Sequence, residues 1–275
     1  MNGEEGGRKE WMDAKATLYA CQEKPYYDEQ KDKNTKEAYY AQISFEDQDL
    51  AEKLRGLIEA THTHQLPYSP HRYVYPWVDI QENGQLKSLY SGQAMDPLQV
   101  IEDDLNILSR IEQGETTVLS QELKFNCEHV VPQSWFKKGE PMRGDLHHLF
   151  ACEPTCNSSR GNSPYYDFPS YSPSALIIRS GCGMAEEGKF EPEYGKGIAA
   201  RAVFYFYIRY KGIISLDDKM DLEVLKKWDE QYPVSLYEKH RNAAIQEIQG
   251  NRNPFIDYPE LSQKLILGQS NVKTL

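Results

Sequence analysis

From Ile198 to Tyr210 the chain is apolar or aromatic almost all the way round a helical wheel. A helix without a polar face has no surface to offer water, so this stretch predicts a buried central helix around which the rest must pack. Its two charged residues, Arg201 and Arg209, fall with Tyr205 at four-residue spacing on a single stripe. The 275 residues, 39% of them hydrophobic, suffice for one substantial core. No apolar run reaches the roughly 18 residues that a membrane helix needs. The opening Met-Asn-Gly-Glu-Glu-Gly-Gly shows no apolar signal region, so the chain reads as cytosolic unless a leader has been removed.

Around the central helix the pattern predicts one mainly helical domain of α+β class. Residues 1–38 are polar and charged and read as a flexible arm, with a short helix near Lys36–Ala41. Ser44-x-x-Asp47 resembles a capping box ahead of an amphipathic helix with Leu50, Leu54, Leu57 and Ile58 on one face. Asp96-Pro97 opens a helix that runs to Gly114, and Glu82-Asn83-Gly84 marks a turn before Leu86–Tyr90, read as a hairpin. A second capping box, Ser235-x-x-Glu238, opens a helix that Gly250 ends. Residues 163–196 read as an ordered loop with a short strand at Ala175–Arg179, and the stretch from Asn251 to Leu261 as a surface wrap. The expected division is an arm over 1–38, a domain over 39–265 and a tail over 266–275.

Chemistry concentrates between Asn126 and Asn162. Lys124–Val130 and Leu146–Cys152 read as two short strands joined by a polar loop, and a helix opening at Pro154 would carry Asn157 and Arg160. Strand, loop, strand, helix is the layout of a ββα metal finger. A phosphodiester repels its nucleophile and has a poor leaving group, and a hard divalent cation addresses both difficulties. Glu128 and Asn157 offer the oxygen donors such an ion prefers, and His129 offers a base that titrates near neutral pH. Neighbouring residues on a regular strand face opposite ways, so Glu128 and His129 share a site only where the strand ends, as Pro132 suggests.

Glu-His-Val-Val-Pro, Asp-Leu-His-x-Leu and Asn-x-x-Arg-Gly-Asn, in this order, resemble the bacterial endonuclease I family of non-specific nucleases, including its Gram-positive extracellular ribonuclease branch. Gly197-x-x-Ala-Arg201 and Arg252–Asp257 extend the likeness. The resemblance implies a ββα-metal (His-Me finger) core over about residues 121–165, with Glu128 and Asn157 as metal ligands and His129 as general base. Arg143, the one arginine between His129 and Asn157, is the candidate for the family's phosphate contact. The implied reaction is hydrolysis of DNA and RNA with Mg²⁺, or with Mn²⁺ or Ca²⁺ in its place, leaving 5′-phosphate ends. Arg160, His148, Arg201 and Arg209 are further candidates for substrate contact; Asp145, His147 and Asn162 are read as structural support. The expected partner is nucleic acid without sequence preference, met by a monomer away from any membrane.

Net charge is −11, which repels phosphate at long range, so the attraction must be local. Residues 121–165 balance five bases (Lys124, Lys137, Lys138, Arg143, Arg160) against five acids (Glu122, Glu128, Glu140, Asp145, Glu153). The stretch 195–215 holds Lys196, Arg201, Arg209 and Lys211 without an acid, which makes it the expected source of the attracting field. Two other classes of protein compete with the nuclease. One is a binding module stapled by zinc on Cys127, Cys152, Cys156 and Cys182. That spacing fits no standard zinc ribbon, and buried thiols or a single disulfide suit it better. The other is an inactive interaction protein of nuclease descent, against which the intact Glu128, His129 and Asn157 stand.

Overall fold

The computed structural model describes residues 3–114, 125–169, 171, 181–216 and 218–266. The chain passes through α1 (Gly3–Gln22), α2 (Glu29–Tyr39), α3 (Leu50–Thr61), α4 (Pro70–Tyr73) and a π-helical turn over Val74–Val78. The pair β1 (Leu86–Lys87) and β2 (Ala94–Met95) follows, then α5 (Pro97–Glu112). β3 (Cys127–His129), β4 (Leu149–Ala151) and α6 (Pro154–Arg160) form the finger. The hairpin β5 (Gly183–Glu186) and β6 (Lys189–Pro192) leads into α7 (Lys196–Arg209), α8 (Leu222–Gln231), α9 (Leu236–Gln249), α10 (Pro254–Asp257) and α11 (Leu261–Ile266). The described residues are thus mainly helical, with small two-stranded antiparallel sheets, as the α+β reading expected.

α7 is the buried central helix, with Val203, Phe204, Tyr205 and Phe206 fully enclosed. It anchors one hydrophobic cluster with Leu54 and Ile58 of α3 and Trp228 of α8. A second cluster gathers Val74 and Tyr75, Ile101 and Leu105 of α5, and Ile245 of α9. Each such side chain contributes roughly 1.5–3 kcal/mol on burial. The finger lies at the seam between the two. Successive residues of a strand point to opposite faces, and on β4 Phe150 joins the first cluster while Leu149 and Ala151 join the second. The strand that positions the site is therefore gripped from both sides.

The caps follow the sequence in two places. Asp96 accepts from the Gln99 amide at the start of α5, and Ser235 and Glu238 complete a reciprocal capping box on α9, closed at its other end by Gly250 at φ 101°. Elsewhere the structure departs from expectation. α3 has Asp49, not Ser44, at its N-cap, and no side chain bonds there; Asp47 pairs with Lys53 instead. Residues 3–22 and 29–39 are helical rather than a flexible arm, and α1 is held by Ala14, Leu18 and Cys21, an apolar stripe at helical spacing in an otherwise polar stretch. The hairpin forms between Leu86–Lys87 and Ala94–Met95, after the turn closed by the Gly84 amide on the Gln81 carbonyl. Asn251, Arg252 and Asn253 are buried, not wrapped over the surface, because Arg252 is enclosed by Asp32, Asp257 and Gln246. Ala175–Arg179, Lys124 and residues 267–275 lie outside the described residues. Among the described residues no helix is long and apolar enough to cross a membrane.

Candidate active site

β3 and β4 pair antiparallel with Cys127 opposite Ala151, Glu128 opposite Phe150 and His129 opposite Leu149. Both strands are shorter than expected, and β3 ends at His129 itself. Glu128 and His129 accordingly meet separate partners. Glu128 Oε1 accepts from the Tyr90 hydroxyl at 2.7 Å and from Arg160 Nη1 at 2.9 Å. Arg160 also donates to the carbonyls of His129 (3.2 Å) and Val130 (2.8 Å), so this one guanidinium ties the carboxylate to the end of the strand. Burial still dominates, and it lifts the Glu128 carboxyl to about 7 against the opposing pull of Arg160 and Tyr90.

His129 Nε2 lies 3.0 Å from the Arg143 carbonyl. A carbonyl only accepts, so Nε2 carries the proton of the neutral ring and Nδ1 is the basic nitrogen. Burial, then His148 and Arg143 nearby, hold the imidazolium form well below its usual range, which keeps the ring neutral. The ring stacks on Tyr68 with centroids 5.0 Å apart and planes at 26°. The Arg143 guanidinium lies 5.1 Å over the same Tyr68 ring. Its Nε is buried without a hydrogen-bond partner, and it makes no ion pair with any described residue. Gly144 makes this stack possible. A Cβ there would lie 1.8 Å from the Leu66 carbonyl oxygen, so only glycine lets the Arg143 turn close on the segment that delivers Tyr68.

α6 opens at Pro154, as read, and carries Asn157. Asn157 Nδ2 donates to the Cys127 carbonyl at 2.9 Å, which fixes the amide and leaves Oδ1 as its free end. A disulfide joins Cys156, the preceding residue, to Cys182 beside the β5–β6 hairpin. The cross-link consumes two of the four thiolates that the zinc alternative requires. Cys127 and Cys152 are buried thiols, and no described group of three or more His, Cys, Asp or Glu could hold a metal. Glu128 and Asn157 do suit a hard divalent cation. They supply carboxylate and amide oxygen beside one strand end, and a buried carboxyl at about 7 is short of positive charge.

The remaining sequence candidates divide by what they touch. His148 is wholly buried, with Nε2 against the Met142 carbonyl at 2.6 Å and its ring centroid 5.4 Å from that of His129; it backs the site and does not face a groove. His147 packs on Tyr205 and meets the Asn251 carbonyl at 3.3 Å. Asp145 receives the Tyr205 hydroxyl (2.7 Å), the Tyr210 hydroxyl (2.8 Å) and Gln249 Nε2 (2.8 Å) and caps the turn before His147. Asn162 is exposed after α6, and its side chain meets no hydrogen-bond partner among the described residues, where a pinning role was expected. Arg160, read as a phosphate contact, is 1% exposed and committed to Glu128 and to the carbonyls of His129, Val130 and Gly161.

The basic stretch of α7 is not an attracting surface. Arg201 is enclosed by Glu238 and Asp229, and Arg209 is buried, stacked on Tyr210 and 4.0 Å from Glu59. Lys196 pairs with Glu191 and Lys211 with Glu52. Arg201, Arg209 and Lys211 have met acids from distant parts of the chain, which no local reading of charge could show, while Lys196 meets Glu191 five residues before it. Tyr68 and Tyr90 were not foreseen, because single tyrosines in a Tyr-rich chain carry no spacing signal. A cavity of about 460 Å³ lined by Tyr26, Trp77 and His240 shares no residue with this site.

With this geometry in place, the chain belongs to the endonuclease I family, whose pattern matches residues 47–260. Among similar proteins, an extracellular ribonuclease of Bacillus amyloliquefaciens is 36% identical over 160 residues, covering 51% of this chain and 53% of that protein. A periplasmic deoxyribonuclease of Aeromonas hydrophila is 29% identical over 158 residues, 49% of this chain and 63% of its own length. An endonuclease-1 of Buchnera aphidicola is 30% identical over 156 residues, 48% of this chain and 61% of its own. The alignment with the Bacillus protein thus spans about half of that relative's length.

Proposed function

We propose that this chain is a metal-dependent endonuclease that hydrolyses phosphodiester bonds of DNA and RNA with little sequence preference. The observation that carries the reading is the His129 Nε2–Arg143 carbonyl bond, which leaves Nδ1 of a neutral imidazole free to take a proton. His129 Nδ1 accepts the proton of a water as its oxygen bonds to phosphorus. The P–O3′ bond breaks on the far side, the 3′ oxygen takes up a proton, and the product ends in a 5′-phosphate. Arg143, without a carboxylate partner among the described residues and lying over Tyr68, meets the non-bridging oxygens. Arg160 holds Glu128 in place, and Glu128 with Asn157 Oδ1 would hold Mg²⁺, Mn²⁺ or Ca²⁺. Such an ion, when bound, stabilises charge on the phosphate and the leaving oxygen. Contacts of this kind touch backbone and not base edges, so they carry no sequence information. Relatives named as ribonuclease and as deoxyribonuclease support both substrates.

Plasmid DNA and structured RNA incubated with Mg²⁺, Mn²⁺, Ca²⁺ or EDTA, alongside His129→Ala, test the reading. Cleavage with Mg²⁺ that EDTA abolishes and His129→Ala removes is expected. Undiminished cutting by His129→Ala sinks the base assignment, and cutting in EDTA sinks the metal.

A further inference from the structure

The proposed reaction needs a phosphate-attracting surface, and the cations of α7 are buried or paired. The loop between His129 and Arg143 supplies another. Lys137 and Lys138 lie side by side at φ 56° and φ 55°, left-handed conformations that glycine or asparagine ordinarily occupy. Both are exposed, and neither pairs with an acid among the described residues. The loop's own carboxylate, Glu140, is turned back onto the Gly144 amide at 3.0 Å. The strained backbone is held by the Lys138 amide on the Gln133 carbonyl (2.8 Å) and the Gly139 amide on the Phe136 carbonyl (3.0 Å). Phe136 plugs the loop into the core, its ring 5.6 Å from Phe206, 5.9 Å from His148 and 6.4 Å from His129. On the other flank Lys219, also exposed and without an acid partner among the described residues, lies 5.2 Å over the Trp135 ring.

We propose that Lys137, Lys138 and Lys219 form a subsite for the phosphodiester backbone that flanks the scissile phosphate. The reading rests on nucleic acid being the substrate of the neighbouring site. Strained residues persist where the surroundings over-determine them, and such positions gather at functional sites. Here the strain fixes two long cations on a rigid loop one residue beyond Phe136, whose other face meets His129. Lysine ammoniums on such a rail neutralise phosphates without regard to base, and bound phosphates release counterions. This arrangement also explains how a chain of net charge −11 could engage a polyanion: the attraction is confined to one loop and its neighbour.

The test is binding without turnover. In a His129→Ala background with EDTA, anisotropy of a short fluorescein-labelled DNA duplex is measured across KCl concentrations. Lys137→Asn with Lys138→Asn removes both charges yet suits the left-handed backbone, so the thermal midpoint should hold or rise. The slope of log affinity against log salt should fall by about 1–2, near 0.9 per lost phosphate contact. Lys31→Asn with Lys211→Asn alters net charge equally, on lysines paired with Glu247 and Glu52, and should leave the slope intact. An unchanged slope in the Lys137/Lys138 variant, or an equal fall in both variants, overturns the subsite. Absence of cleavage by the unmodified protein in Mg²⁺ sinks the hydrolase reading alone, since the binding slope is read without turnover.

Discussion

Arg160 and Arg201 are both buried guanidiniums on helices, each against carboxylate, yet their surroundings are opposite in kind. Arg201 is enclosed by two acids, with Nε and Nη2 on the two oxygens of Glu238 and Nη1 on Asp229 and the Tyr232 carbonyl. Arg160 meets one acid, and its bond and that of Tyr90 both fall on Oε1 of Glu128. Beside it Arg143 has a buried Nε without a partner. A buried charge is stable only when paired and hydrogen-bonded, so the α7–α9 lock is complete, whereas the finger stays short of partners at the places a ligand would fill. The same residue types serve structure in one region and keep binding capacity in the other.

Removing one member from each region should break different properties. His129→Ala is expected to cut the cleavage rate by about 10²–10⁴-fold, while its urea midpoint moves less than that of Arg201→Met. Arg201→Met strands two buried carboxylates and should lower stability by about 3–5 kcal/mol, with the rate per folded molecule unchanged. Cleavage lost in step with unfolding in both would erase the distinction. Cys182→Ala opens the cross-link that spans 26 residues and tethers α6. A loop of that length is worth about 3–4 kcal/mol. Hydrogen exchange should quicken at the Asn157 amide and stay slow at Val203; equal acceleration at both would mean that the disulfide serves the whole core.

The polar network under the finger should be acid-sensitive. Burial holds His147 at about 3, below its ordinary value, so the ring stays neutral in the fold while the unfolded chain takes up a proton below roughly pH 6.5. Stability is therefore expected to fall as pH drops from about 6.5 towards 3, by up to about 1.4 kcal/mol per pH unit for this group. Asp145, held low in the fold despite burial by the donors that converge on it, Gln249 among them, adds a second loss below roughly pH 4. His147→Asn should flatten the first phase in urea unfolding across pH, and an unaltered profile would remove His147 from the network. The smallest effect belongs to Tyr68→Leu. Losing an aromatic stack of about 0.5–1.5 kcal/mol should slow cleavage threefold to tenfold and shift its pH profile, with Tyr68→Phe near normal. A loss of substrate affinity alone would make Tyr68 a packing residue.

Patterns that are local in sequence were legible. The burial of α7, the capping box at Ser235–Glu238, the Asp96-Pro97 helix start and the strand–loop–strand–helix order all depend on residues within a few positions of one another. The stretch 3–22 misled because its apolar stripe of Ala14, Leu18 and Cys21 is sparse amid charge, and only contact with α5 and the turn at Val74 makes it a core element. The grouping of Glu128, His129 and Asn157 on one short finger was also within reach, since a β-pair and a following helix bring them together by chain connectivity.

Which of the charges remain open to a ligand was decided by the tertiary structure. Arg201 and Arg209 looked like the attracting field because their own stretch lacks acids, and α3, α8 and α9 supplied the acids from 28 to 150 residues away. Conversely, Lys137 and Lys138 counted only as two of five bases in a window of balanced charge, and they meet no acid among the described residues. Composition and periodicity report which face of an element is buried; they are silent on what that face meets. Pairing of charge depends on three-dimensional neighbours, so the elements belong to the sequence and the division between locked and available cations belongs to the fold.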